Sequence, residues 1–213
     1  MRILRALRIV VCGAAAVGLA QAPANRSWTF DADRAGAPPP GFTLDAMRQA
    51  SAGTWLVRRD AANGLVVHEA NPAHAGFALA IADAAPFRDG SVSVRLRLEG
   101  GARAGGVVWR YQNANNFHAA VLDLDDRSLA LYRIVRGNRV RIEDEEDLEL
   151  DPAAWHTLKV VHDQAYVRVS LGGIRVFDER DRTFGPGRVG LLATGRSLVW
   201  FDDFQARPES RRP

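Results

Sequence analysis

The sequence predicts an all-β protein built as an antiparallel two-sheet sandwich of about 12 strands, and three observations carry that reading. From residue 64 onward the chain breaks into twelve short runs rich in Val, Leu, Ile and aromatic residues, separated by Gly, Asn and Asp. Several runs alternate strictly: across Ser91–Leu98, Val92, Val94, Leu96 and Leu98 fall on one face and Arg95 and Arg97 on the other, the period of a half-buried strand. No stretch between runs is long enough for a crossover helix, which excludes a parallel α/β sheet.

The chain opens with Arg2, Arg5 and Arg8 ahead of an apolar run, Ile9 to Ala20, then small Ala22 and Ala24, then polar Asn25-Arg26-Ser27. This is the order of a secretory signal peptide over residues 1–24. Cleavage is expected after Ala24, because a cut after Ala22 would leave Pro23 leading. The run of 12 residues is shorter than the ~20 needed to cross a bilayer. An exported protein, periplasmic or extracellular, with no integral membrane span is therefore expected. Cys12 is the single cysteine, and bulky Val10 and Val11 precede it where a lipid-anchor signal needs small residues. The remaining chain of ~185 residues has no cysteine and is long enough to bury a core without disulfides.

Next come a first strand (Trp28-Thr-Phe-Asp31), a Pro38-Pro39-Pro40-Gly41 corner, a short stretch of helical composition at Leu44–Ala52, and a strand at Trp55-Leu56-Val57. The twelve runs follow: Leu65–His68, Phe77–Ile81, Ser91–Leu98, Gly106–Tyr111, Phe117–Leu124, Leu129–Arg136, Arg139–Ile142, Trp155–Val161, Ala165–Leu171, Ile174–Phe177, Arg188–Ala193 and Leu198–Gln205. Gly137-Asn138 and Gly172-Gly173 are sharp hairpin signals, and Asp125–Ser128 is a longer turn. No repeat interrupts residues 25–206, which read as one domain; the polar, Pro-bearing tail 207–213 is expected to be disordered.

Charge argues against nucleic acid. The 28 basic residues outnumber 25 acidic ones, but three Arg lie in 1–24 and three more, with one Glu, in 207–213. The body carries 22 basic against 24 acidic residues, which offers no electrostatic case for nucleic acid or an anionic membrane.

A series of phrases then resembles a known family. They are Phe30-Asp31, Gly53-Thr-Trp55, Gly105-Gly-Val-Val-Trp-Arg-Tyr111, Asn115-Asn-Phe-His118, Leu129-x-Leu-Tyr-Arg133, Trp155-His-x-Leu-x-Val160, Asp181-x-Thr-Phe184, Gly187-x-Val-Gly-Leu191 and Phe201-Asp-Asp-Phe204. In this order, across residues 28–206, the chain is similar to the concanavalin A-like lectin/glucanase superfamily. Within it, the chain resembles secreted bacterial 3-keto-disaccharide hydrolase-like domains, also described as laminin-G-like or family-16-like. The resemblance implies a jelly roll and a carbohydrate ligand on a concave sheet face. Fold does not fix function, and three readings stay open: a non-catalytic carbohydrate-recognition module, an enzyme acting on 3-keto-disaccharides, and a laminin-G-like protein-interaction domain.

Pairing Tyr111 with Phe117 would set Arg110 opposite His118, with Arg133 joining their face opposite Ala120. Trp109, Tyr111, Phe117, Ala119 and Val121 would then form the core face. With Gln112, Asn113 and Asn116 in the intervening loop, the polar face offers the planar donors and acceptors that sugar hydroxyls need. In an enzyme, His118 would be the base or acid and Arg110 would stabilise the developing anion. Glu145-x-Asp147-x-Glu149 matches the spacing of the family 16 catalytic triplet, but Glu146 stands where that pattern wants an apolar residue. An exposed acidic edge explains the run better.

His68, His74, His118, His156 and His162 show no short metal spacing, so zinc is not expected. The resemblance implies one metal, a structural calcium at Asp31 and Asp203, the alternative being that both carboxylates bond backbone at strand ends. No other cofactor is expected, and the chain is expected to be a monomer. Trp28, Trp55, Trp155 and Trp200 read as core or corner residues, with Trp55 the one to consider as a sugar platform.

Overall fold

The computed structural model describes residues 24–49, 51–60, 63–69, 76–99 and 103–209. The signal peptide expected over 1–24 lies outside the described residues except for Ala24, as do His74 and residues 210–213 of the tail.

Among the described residues fifteen strands form, and all their sheet pairings are antiparallel. They are β1 (Arg26–Trp28), β2 (Phe42–Ala46), β3 (Thr54–Asp60), β4 (Asn63–Glu69), β5 (Phe77–Ala82), β6 (Gly90–Glu99), β7 (Ala104–Asn113) and β8 (Asn116–Asp123). Then come β9 (Ser128–Val135), β10 (Asn138–Glu145), β11 (His156–Asp163), β12 (Tyr166–Leu171), β13 (Ile174–Arg180), β14 (Arg188–Thr194) and β15 (Leu198–Pro208). One sheet has eight strands, in the order β13-β12-β11-β6-β15-β4-β3 with β1 also on β15; the other has seven, β10-β9-β8-β7-β14-β5-β2. This is the jelly-roll sandwich, and the twelve runs after residue 64 correspond one to one with β4–β15.

Four boundaries differ from the sequence reading. Phe42–Ala46 is strand rather than helix because it pairs with the fully buried β5, and only Met47–Gln49 makes a 3₁₀ turn. Tertiary pairing overrides a short stretch of helical propensity. The first strand ends at Trp28, since the chain turns at Phe30 with φ 59°. The β9–β10 turn uses Arg136 and Gly137, at φ 52° and 75°, one residue earlier than expected. Both central residues of this two-residue hairpin then have the positive φ that matches strand twist. Finally, β15 runs on through Pro208, with Arg207 opposite Ser91, so the tail starts later than residue 207.

Between the sheets, β6 contributes Val92, Val94, Leu96 and Leu98 as its alternation predicts. They pack with Val57, Val66, Val107, Leu122, Leu131, Leu158, Val169, Leu191 and Phe201. A second apolar cluster, including Phe77, Leu79, Ile81, Val108, Phe117, Ala119, Val121 and Leu192, covers the opposite face of the seven-stranded sheet. The central strands of that sheet are therefore apolar on both faces.

The second cluster is buried because the sheet curls. Four inter-strand steps separate β5 from β9, about 19 Å in a flat sheet. Yet the Phe77 and Tyr132 rings are 6.4 Å apart, and Arg139 of β10 lies over the Phe77 ring at 4.0 Å. Such contacts require the outer face of this sheet to be a trough, with Phe77, Tyr132 and Arg139 bridging it from side to side.

Candidate functional site

Beside this bridge the trough stays open as a cleft of about 430 Å³. Its floor is made of small residues at successive outward positions of β7, β8 and β9: Ala104, Val121 and Ala130. Tyr132, Phe77, Arg139 and Arg141 form one wall, and Asp123, Asp126, Ser128, Asp144, Glu146 and Thr194 complete the lining. Arg139 and Arg141 reach it because they stand opposite Ile134 and Tyr132, which point outward from β9. Arg141 pairs with Asp144 at 2.8 Å. Asp123 accepts the backbone N–H groups of Asp125 and Asp126 at 2.9 and 3.2 Å, and its pKa is raised by burial, which those bonds only partly oppose. The cleft thus combines an aromatic face, guanidinium forks and carboxylates, a donor and acceptor set suited to a polyhydroxylated ligand.

The residues singled out in the sequence lie elsewhere. Trp109, not Arg110, stands opposite His118, and the register then slips until Asn113 meets Asn116. The slip is a bulge: Arg110 adopts φ 46°, so that Trp109 turns inward while Tyr111 joins Phe117, Ala119 and Val121 on the trough face. Arg133 is opposite His118 rather than Ala120. A bulge inserts a residue and reverses the facing of the strand beyond it, and nothing in the local alternation announced it. Arg110 and His118 are consequently 2% and 0% exposed, inside the sandwich instead of on an open polar floor.

There they join a largely buried network that reaches the surface through Arg133. Arg110 donates to the carbonyls of Arg88, Phe184 and Gln164 and pairs with Asp89 at 3.2 Å. Its backbone is so close to Gly187 that a Cβ there would lie 2.3 Å from the Arg110 carbonyl carbon. His118 Nε2 donates to Asp181 at 2.9 Å, and Arg133 and the Thr183 backbone N–H complete that carboxylate's partners. Burial alone would raise the Asp181 carboxyl, but the bonds from His118 and Thr183 prevail and hold it below the usual carboxylate range. His162 accepts the Trp109 indole N–H on Nδ1 at 2.9 Å and donates from Nε2 to the Asp181 carbonyl at 3.1 Å. Burial, followed by the charge of Arg110, lowers its pKa to about 3. Burial lowers His118 as well, against the pull of Asp181.

The loop carboxamides are also committed. Gln112 donates to the carbonyls of Arg110 and Pro186, Asn113 accepts from Asn115 and Asn116, and Asn116 accepts the Arg136 N–H. Strand β10 ends at Glu145, so Glu145, Asp147 and Glu149 do not share one strand, and Asp147 pairs with Arg127 at the surface. Glu145 stands opposite the inward Leu129, on the side away from the cleft. Asp31 accepts the Gly64 N–H and Asp203 pairs with Arg95 at 3.2 Å. Among the described residues no group of three or more acidic, His or Cys side chains is placed to hold a metal ion. Trp55 is a core residue, 1% exposed, donating to Ala52 and stacking on Phe201. No helix among the described residues is long and apolar enough to cross a membrane.

Phe77, Tyr132, Arg139, Arg141, Asp123 and Asp144 were not singled out in the sequence. The available signal was Phe77–Ala82 beside Val189–Ala193, runs without a polar side chain, and such strands must be covered on both faces.

No family model matches the chain, and no curated protein does. Solved structures do. The carbohydrate binding module CBM66 from Bacillus subtilis superposes with a TM-score of 0.62 at 17% identity, over 76% of this chain and 94% of that one. A β-glucanase from Bacillus licheniformis gives 0.58 at 11% identity, over 89% and 100%. A β-1,3-1,4-glucanase (lichenase) from a mouse hindgut metagenome gives 0.56 at 10% identity, over 87% and 100%. These likenesses establish the concanavalin A-like jelly-roll fold.

Proposed function

We propose that the protein is an exported, non-catalytic carbohydrate-binding module that holds its sugar in the trough of the seven-stranded sheet. The observation that carries this reading is the cleft itself. At about 430 Å³ it lies within the range of small-ligand sites, roughly 300–1,000 Å³. It presents the half-buried face of Tyr132 above a floor of alanine and valine, with charged hydrogen-bonding groups around the rim. An aromatic face takes the C–H side of a sugar ring while polar groups take its hydroxyls. The fold shared with a carbohydrate binding module supports the reading.

The alternative, processing of 3-keto-disaccharides or related glycosides, loses its base: His118 is fully buried, with Nε2 engaged by Asp181, and does not line the cleft. The test is saturation-transfer NMR over a panel of oligosaccharides, comparing wild type with Tyr132→Ala. Loss of the sugar signal on that substitution, without product formation in wild type, is expected. Product formation, or a signal that persists in Tyr132→Ala, would sink the proposal.

A further inference from the structure

The charges around the cleft are unequally satisfied. Arg141 is neutralised by Asp144, but Arg139 has no carboxylate or hydrogen-bond acceptor among the described residues; its contact is the Phe77 ring, 4.0 Å from Cζ. A ring beneath a guanidinium attracts the cation without accepting its in-plane N–H bonds. The fork is thereby oriented while its five donors remain available. The neighbouring cation, Arg48, is tied to the Gly137 carbonyl and Asn138 at 2.8 and 2.6 Å and adds positive potential. Across the cleft, Asp123, Asp126 and Glu146 line the rim without ion pairs among the described residues. The cleft is bipolar, cationic toward the aromatic bridge and acidic beyond it.

Resting on the trough as the sugar site, we infer that its preferred ligand is an acidic sugar, whose carboxylate is forked by Arg139 and whose hydroxyls donate to Asp123, Asp126 and Glu146. The planar carboxylate matches a guanidinium edge in a bidentate manner, at charge-assisted strength. A neutral sugar leaves those donors to water. A polymer with a charge on every ring is disfavoured by the three carboxylates, so the fitting ligand carries an isolated acid group among neutral rings.

The test is calorimetric titration with aldobiouronic acids, the neutral disaccharides of matching linkage, and their sulfated counterparts, against wild type, Arg139→Ala, Arg139→Lys and Tyr132→Ala. The acidic disaccharide is expected to bind wild type at least about tenfold tighter than its neutral match, the equivalent of one charged hydrogen bond. That ratio is expected to fall to near one in Arg139→Ala, to be only partly kept in Arg139→Lys, and to shrink with added salt. Equal affinity for acidic and neutral probes, or a ratio unmoved in Arg139→Ala, overturns the acidic-sugar inference. The trough reading survives that result if Tyr132→Ala still abolishes binding, and fails if Tyr132→Ala binds like wild type. Tighter binding of the sulfated probe overturns the carboxylate fork.

Discussion

Acid should destabilise this fold through His162. The ring is 2% exposed, its Nδ1 is an acceptor for the Trp109 N–H, and its Nε2 proton is spent on the Asp181 carbonyl. A second ring proton would face a donor with a donor, in a site that solvates charge poorly. The folded-state pKa is accordingly lowered to about 3, against ~6.5 in an unfolded chain. Above pH ~6.5 both states are neutral and the group has no pH-dependent effect. Below it the unfolded chain takes up a proton that the folded one refuses, so stability falls by about 1.4 kcal/mol per pH unit until the folded ring titrates. At two units below the unfolded value, near pH ~4.5, the loss from this residue is about 3 kcal/mol. His118 is shifted the same way by burial and adds to it. The assay is denaturant unfolding at a series of pH values, for wild type and His162→Gln, whose amide can still accept from Trp109 and donate to Asp181. The variant should lose about 3 kcal/mol less than wild type between neutral pH and pH ~4.5. Parallel losses in the two proteins, or an NMR titration of the His162 ring near its ordinary value, would refute the reasoning.

Gly187→Ala should cost about 2–4 kcal/mol in denaturant unfolding, because its Cβ would sit 2.3 Å from the Arg110 carbonyl carbon and the backbones would have to part. His118→Ala should lower the unfolding free energy by about 3–5 kcal/mol, by stripping a buried donor from Asp181; a folded variant of unchanged stability that had lost sugar binding would restore His118 to a ligand site. Below pH ~4 wild type should weaken further, since Asp181 is held below the usual carboxylate range and its contribution is lost as it protonates. Asp181→Asn, monitored by the same unfolding series, should lack that last decline.

Much of the fold is legible because strand alternation and turn chemistry are local. The alternation over Ser91–Leu98 names the buried face of β6 directly, and Gly172-Gly173, at φ 58° and 86°, needs only the two residues of the turn. The misreadings arise where distant pairing decides. Leu44–Ala52 has helical composition, but its first residues are claimed by β5, about 35 residues on. The Pro208 end of β15 is held by Gly90, with the Glu209 N–H on the Asp89 carbonyl, a contact invisible from a polar tail.

Arg110 and His118 were misplaced for a related reason. Polar residues on a strand can face a ligand or be paired inside, and Arg110 and His118 are paired: their partners Asp89, Phe184 and Asp181 come from loops far along the chain. A polar residue on a strand is therefore weak grounds for an open site when its partners cannot be paired from sequence. The stronger sign was apolar. Phe77–Ala82 is buried at every position, so its outward face needs a cover, yet no helix or third layer among the described residues supplies one. The sheet must curl and cover itself, as Phe77, Tyr132 and Arg139 do across the trough. Self-covering by a curved sheet leaves a hollow wherever the floor side chains are small, and Ala104, Val121 and Ala130 mark that place. A search for the ligand site in such a sequence should begin at strands apolar on both faces and follow their smallest outward residues.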